Sequence, residues 1–243
     1  MDDPKYFEFG PDKVRLAYRK REGGRSPNLL FLPGYASDMD GSKAVAIDKF
    51  ADRHDIGCLR FDYSGTGLSE GDFAQGTLAG WIEEALAVTE ELAHGPLILV
   101  GSSMGAWVAF HLALRSKAQI AGLVGISAAP DFTDWGFDEA ERETIVRDGI
   151  LGPAENPVHR GFWESGQSLL LLGSEIAVDC PVRLVHGEKD KEVPLDVPRR
   201  LMSQLCSADI QLTTVKDGGH RLSEPREIRA ITNAIRGLLE LHH

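Results

Sequence analysis

Three stretches of this 243-residue chain carry the residue types that acyl transfer needs. Ser103 stands in Gly101-Ser102-Ser103-Met104-Gly105, a G-x-S-x-G pattern. His220 follows Gly218-Gly219, and Asp190 lies in His186-Gly187-Glu188-Lys189-Asp190. A serine hydroxyl is a weak nucleophile near neutral pH. It becomes reactive when a base takes its proton and an acid orients that base. The pattern around Ser103 has a chance expectation of about 0.2 occurrences in a chain this rich in glycine and serine, so its context has to carry the argument. Leu97–Val100 is an unbroken apolar run, as in a parallel strand covered on both faces. Met104, Trp107, Val108, Phe110, Leu112 and Leu114 then mark a helix that is apolar nearly all round. Gly101 and Gly105 let strand and helix approach closely. Ser103 is thereby set on a sharp turn at a helix N-terminus, the layout of a nucleophile elbow.

His220 is the expected general base. Gly218 and Gly219 give its loop freedom to swing the ring toward Ser103, and an imidazole suits both taking and returning a proton. Asp190 is the expected orienting acid, with Glu188, Glu192 and Asp217 as nearby rivals. His186 ends a strand far in sequence from both partners and reads as structural. The developing oxyanion needs two N–H donors. Met104 supplies one just after the nucleophile, and Tyr35 the other, with Gly34 allowing close approach. Tyr35, Trp135, Phe162 and Trp163, with Leu169–Leu172, are the apolar groups available to line an acyl pocket.

Loops after strands have to position these residues. Residues 5–9 and 13–20 flank the turn Gly10-Pro11-Asp12 and predict a hairpin, followed by a loop over Gly23–Pro27. Further strands are expected at Asn28–Leu32, Ile56–Phe61, Leu97–Val100, Ile120–Ser127, Pro181–His186 and Ile210–Val215. Helices are expected from Asp40 as cap, from Thr77, after Ser103, over Pro194–Cys206 and over Glu224–Leu241. Residues 130–178 hold no clear strand, many charges and scattered large apolar groups, which predicts helices folding over something. The alternation gives an α/β fold: one domain over residues 1–243 with a doubly wound, mostly parallel sheet of about eight strands and an inserted helical cap at about 130–178. In such sheets the site lies at the carboxyl ends of the strands, where all the residues above fall.

The net charge of −11 disfavours nucleic acid and anionic membrane surfaces as partners. No apolar run is long enough to span a bilayer, so no integral membrane association is expected. Cys58, Cys180 and Cys206 make neither a disulfide framework nor a zinc pattern, and no metal or cofactor site is expected. Met1-Asp2-Asp3-Pro4-Lys5 is neither a secretory nor a transit signal, so a reducing cytoplasm is the expected compartment. Asp62-Tyr63-Ser64-Gly65-Thr66-Gly67-Leu68-Ser69 is not a phosphate loop; it reads as a turn in which Asp62 bonds backbone amides and the glycines are left-handed.

Leu32-Pro33-Gly34-Tyr35, Arg60-Phe61-Asp62-Tyr63-Ser64-Gly65-Thr66-Gly67, Gly101-Ser102-Ser103-Met104-Gly105-Ala106-Trp107, Cys180-Pro181-Val182-Arg183-Leu184-Val185-His186-Gly187, Asp190 and Asp217-Gly218-Gly219-His220-Arg221 together resemble the α/β-hydrolase superfamily over nearly the whole chain. The wording is most similar to its mitochondrial palmitoyl-protein thioesterase branch, whose animal members also cleave acyl glucuronides; the lack of a transit peptide suggests a bacterial relative or a mature form. The resemblance implies Ser103 as nucleophile, Asp190 as acid, His220 as base, and the Tyr35 and Met104 amides as oxyanion donors. It implies a serine hydrolase of small acyl esters or thioesters, with acylated protein as a further form of substrate. Residues 130–178 match only loosely. The same fold and triad also serve C–C bond hydrolysis and perhydrolysis. A non-catalytic binding protein on this fold would have lost a triad member, and none is lost here.

Overall fold

The computed structural model describes residues 3–154 and 156–242; the expectation for the N-terminal signal falls partly on residues 1 and 2, outside them. Among the described residues ten strands form: β1 (Lys5–Phe9), β2 (Val14–Arg21), β3 (Arg25–Leu32), β4 (Ile56–Phe61), β5 (Leu97–Ser102), β6 (Ile120–Ile126), β7 (Ile150–Leu151), β8 (Val158–His159), β9 (Val182–Gly187) and β10 (Ile210–Val215). The α-helices are α1 (Ser42–Arg53), α2 (Leu78–Leu92), α3 (Met104–Arg115), α4 (Phe132–Trp135), α5 (Glu139–Asp148), α6 (Arg160–Gln167), α7 (Asp196–Gln204) and α8 (Pro225–Leu239). Eight strands make one sheet in the order β1-β2-β4-β3-β5-β6-β9-β10. β1 and β2 join antiparallel, and the remaining pairings of this sheet, along β4-β3-β5-β6-β9-β10, are parallel.

The apolar runs are explained by burial on both faces. In β5, Leu97 and Leu99 pack with Trp81 of α2, Trp107 of α3 and Leu201 of α7. Ile98 and Val100 point the other way, onto Ile47 and Phe50 of α1 and Ile231 and Ile235 of α8. The period of two along a strand thus feeds two cores at once. Helix starts follow their side chains. Thr77 accepts from the Gly80 N–H at the head of α2, and Asp138 with Glu141 closes a capping box on α5.

Three local expectations are corrected. Asp40 does not cap α1, whose N-cap is Gly41 without a side-chain bond; the Asp40 carboxylate is drawn instead into a bidentate pair with Arg19, both contacts 2.8 Å. Residues 25–27 belong to β3 rather than to a loop. The chain between β6 and β9 contains helices α4 to α6, as expected, but also the short antiparallel pair β7–β8. This insertion is tied to itself across its length and to helix α3. Asp131 accepts the backbone N–H groups of Leu171 and Leu172, and the Leu169 carbonyl receives Trp107 Nε1 of α3 at 3.1 Å. Among the described residues, no helix is long and apolar enough to cross a membrane.

Candidate active site

Ser103 is the residue between β5 and α3, and its backbone is left-handed, with φ 54°. A non-glycine residue is strained there, and the strain is held by neighbours on either side. The Ser103 N–H donates to the Ile126 carbonyl at 2.8 Å, and its own carbonyl accepts from Ala106 and Ala129. Glycine is required beside it for space: a Cβ on Gly105 would lie 2.1 Å from the Leu32 carbonyl oxygen. The turn therefore wedges between the ends of β3 and β6, which presents the Ser103 hydroxyl at the carboxyl edge of the sheet.

A continuous chain of hydrogen bonds leads away from that hydroxyl. His220 Nε2 stands 3.1 Å from Ser103 Oγ, and His220 Nδ1 stands 2.9 Å from Asp190 Oδ2. An ionised carboxylate only accepts, so Nδ1 carries the proton and Nε2 offers its lone pair to the serine. The Asp190 side chain is fully buried, and that of His220 is 16% exposed. Burial alone would push the Asp190 carboxyl up. The bond to His220 and the N–H groups of Val193 and Glu192 outweigh it and hold the group below the ordinary carboxylate range. Asp190 is thus an anion with its second oxygen occupied by backbone, which fixes the direction of the first.

The rival carboxylates lie elsewhere. Glu188 accepts from the Asp217 N–H, and Asp217 pairs with Lys189 at the surface. Glu192 is 68% exposed, although its Oε2 comes within 3.7 Å of His220 Nε2. His186 is structural in its burial but not remote: its Nε2 lies 3.0 Å from the Val193 carbonyl and 3.7 Å from Asp190 Oδ2. It braces the acid loop from below, which its distance in sequence concealed. Burial lowers its pKa, so the ring stays neutral.

Two amides border the site. Met104 opens α3, so its N–H has no partner within the helix. Tyr35 follows Gly34, where a Cβ would sit 3.4 Å from Ser103 Cβ; the Tyr35 turn is therefore against the nucleophile. The Tyr35 ring packs on Phe162 at 4.5 Å and on Phe73 at 5.1 Å. The residue is half-buried, and that burial drives its hydroxyl pKa well up.

The four residues expected to line an acyl pocket are not one open wall. Phe162 is 1% exposed and belongs to the core with Tyr35, Trp81 and Phe132. Trp135 and Trp163 turn their indole N–H groups onto the carbonyls of Pro130 and Thr133. A cleft of about 250 Å³ opens among Ser37, Asp38, Thr66, Phe73, Ala154 and Pro157, and its lining includes neither Ser103 nor Met104. The turn that begins at Asp62 is built as expected: Asp62 accepts from Met39 and Leu68 N–H groups, and Gly65 and Gly67 have positive φ. Among the described residues, no group of three His, Cys, Asp or Glu side chains is placed to hold a metal ion.

Lys43, in the first turn of α1, was not foreseen. Its ammonium donates to the Arg221 carbonyl, next to His220 and 178 positions away in the chain. No spacing pattern signals a contact at that separation.

Residues 29–231 match the model of the alpha/beta hydrolase family. The human mitochondrial palmitoyl-protein thioesterase ABHD10 is 35% identical over 240 residues, covering 95% of this chain and 78% of that protein. The structure of mouse ABHD10 superposes with a TM-score of 0.92 at 31% identity, covering 100% of both chains. The crystal structure of a protein from Agrobacterium vitis S4 superposes with a TM-score of 0.90 at 36% identity, covering 98% of both chains. The cytoplasmic expectation is overturned by these relatives, since the human and bovine ABHD10 proteins that cover the chain are mitochondrial. A fold built around the Ser103 turn, eight strands in the required order and similarity along nearly the full length agree on one conclusion: the chain belongs to the alpha/beta hydrolase family.

Proposed function

We propose that this chain hydrolyses carboxylic thioesters and esters through an acyl-enzyme, with Ser103 as nucleophile, His220 as general base and Asp190 as orienting acid. The observation that carries the reading is the unbroken hydrogen-bond chain from Ser103 Oγ through His220 to a buried Asp190. Ser103 Oγ attacks the acyl carbonyl and its proton passes to His220 Nε2. The tetrahedral oxyanion is met by the N–H groups of Met104 and Tyr35, in front of the positive end of α3. Collapse breaks the bond to the thiol or alcohol, which leaves with the proton from Nε2. Water then adds to the acyl-enzyme by the same route and releases the acid.

The thioester preference is drawn from the relatives, whose name is palmitoyl-protein thioesterase. The insertion over residues 130–178 serves as a cap. The substrate class is a small acyl thioester or ester, with an S-acylated protein as its larger form.

A series of thioesters and oxygen esters of increasing acyl length, with Ser103→Ala as control, tests the reading. Turnover by the wild type, its loss in Ser103→Ala, and fluorophosphonate labelling of the wild type alone are expected. Equal labelling of both proteins would rule out Ser103 as the nucleophile.

A further inference from the structure

The loop carrying His220 has to hold a ring within hydrogen-bond reach of Ser103, yet its own sequence favours freedom. It contains Gly218 and Gly219, and it is flanked by left-handed Asp217 and Leu222, with φ of 59° and 43°. Leu222 is 1% exposed and anchors the far side by burial. An apolar anchor fixes depth but not direction, because the hydrophobic effect is non-directional. The Lys189 N–H holds the near end of the loop at the Gly218 carbonyl, at 2.8 Å; beyond it, among the described residues, the hydrogen bond that ties the backbone of residues 219–223 to another element is the one from Lys43 to the Arg221 carbonyl.

Lys43 is well placed to act as a directional tether. It lies just beyond the Tyr35 turn, at the start of α1, so it joins the segment bearing one oxyanion donor to the segment bearing the base. It is half-buried, and the charges near it include the like charge of Arg221 and the opposite charges of Glu192 and Asp190. A charge-assisted bond is roughly twice as strong as one between neutral groups.

We infer that Lys43 is a positioning residue, which sets the place of His220 Nε2 relative to Ser103 Oγ by pinning the Arg221 carbonyl. The inference rests on the proposed roles of Ser103 and His220. Lys43 touches neither substrate nor the reacting atoms. Its effect is on the geometry of proton transfer, where a small displacement of the base is costly in rate.

Lys43→Met keeps the stem and removes the donor; Lys43→Arg keeps a cationic donor. Each is compared with the wild type and Ser103→Ala on one short-chain ester and one short-chain thioester. The folded fraction is taken from circular dichroism and thermal unfolding. For Lys43→Met, kcat per folded molecule is expected to fall roughly 10- to 100-fold with KM nearly unchanged. The low-field proton resonance of His220 Nδ1–H should broaden or vanish, and Lys43→Arg should recover most of the rate. Wild-type kcat per folded molecule in Lys43→Met overturns the inference, as does an equal loss in Lys43→Arg. Turnover that survives in Ser103→Ala is a different failure, that of the proposed nucleophile. Because rates are taken per folded molecule, a fall in yield or melting temperature alone counts against the positioning role.

Discussion

The Tyr35 hydroxyl donates to the Pro157 carbonyl at 2.8 Å, across 122 residues of chain. Tyr35 thus meets the insertion through its side chain while its backbone borders Ser103. Two roles are separable in this one residue. The amide is the candidate oxyanion donor, and the hydroxyl holds the β7–β8 segment down. Tyr35→Phe removes only the second. Stability to urea should fall by about 1 kcal/mol, the usual net worth of such a bond. Turnover of a short acyl ester should stay within about threefold of wild type, because the N–H donor is retained. A loss of 100-fold or more on the short ester would mean that the hydroxyl itself reaches the reacting group.

The stretch around Ser103 was legible because two independent demands coincide there. A strand buried on both faces must be uninterruptedly apolar, and a close strand–helix crossing must have glycine at Gly101 and Gly105. The choice among Asp190, Glu188 and Glu192 was harder. These residues are chemically alike and crowded into one loop. What separates them is that the N–H groups of Glu192 and Val193 close on Asp190 and turn its other oxygen inward. That is a matter of loop conformation, which no periodicity encodes. Asp40 failed as a cap because a buried-side arginine competed for it. The aromatic residues of the insertion were visible as types, but direction was not. Phe162 turns into the core, while Trp135 and Trp163 are held by their N–H groups on neighbouring carbonyls.

Asp62 gives the stability of this fold a pH dependence of defined sign. Burial raises its pKa to about 6, and the bonds from Leu68 and Met39 only partly offset that. The ordinary value for an unfolded chain is about 3.9. Between these values the folded state binds more protons than the unfolded state, so Asp62's contribution falls as pH rises from about 4 to about 6 and is flat on either side. The span corresponds to at most about 3 kcal/mol. Urea unfolding of wild type and Asp62→Asn across this range should show the difference between them shrinking toward higher pH. A difference that grows with pH would mean that the carboxylate is held ionised by its two N–H donors.

Gly187, at the end of β9, packs directly against the loop that carries His220. A Cβ there would lie 2.4 Å from the Gly218 carbonyl oxygen and 2.6 Å from that of Gly219. Both obstacles are backbone, so relief requires the His220 loop to move as a unit. It cannot move freely, since the Lys189 N–H holds the Gly218 carbonyl at 2.8 Å. Gly187→Ala should therefore displace His220 from Ser103 while leaving the eight-stranded sheet intact. Overpacking of this kind costs roughly 1–3 kcal/mol in stability, and a displacement near 1 Å costs on the order of 100-fold in rate. Gly219→Ala is the matched control, because nothing lies within 4 Å of a Cβ at that position. Near-wild-type turnover is expected for Gly219→Ala and a large fall in kcat for Gly187→Ala, both measured on a short ester at equal folded fraction. Equal activity in the two variants would show that the base loop adjusts to β9 without changing the Ser103–His220 distance, and that the contact of Gly187 with Gly218 has no part in aligning the site.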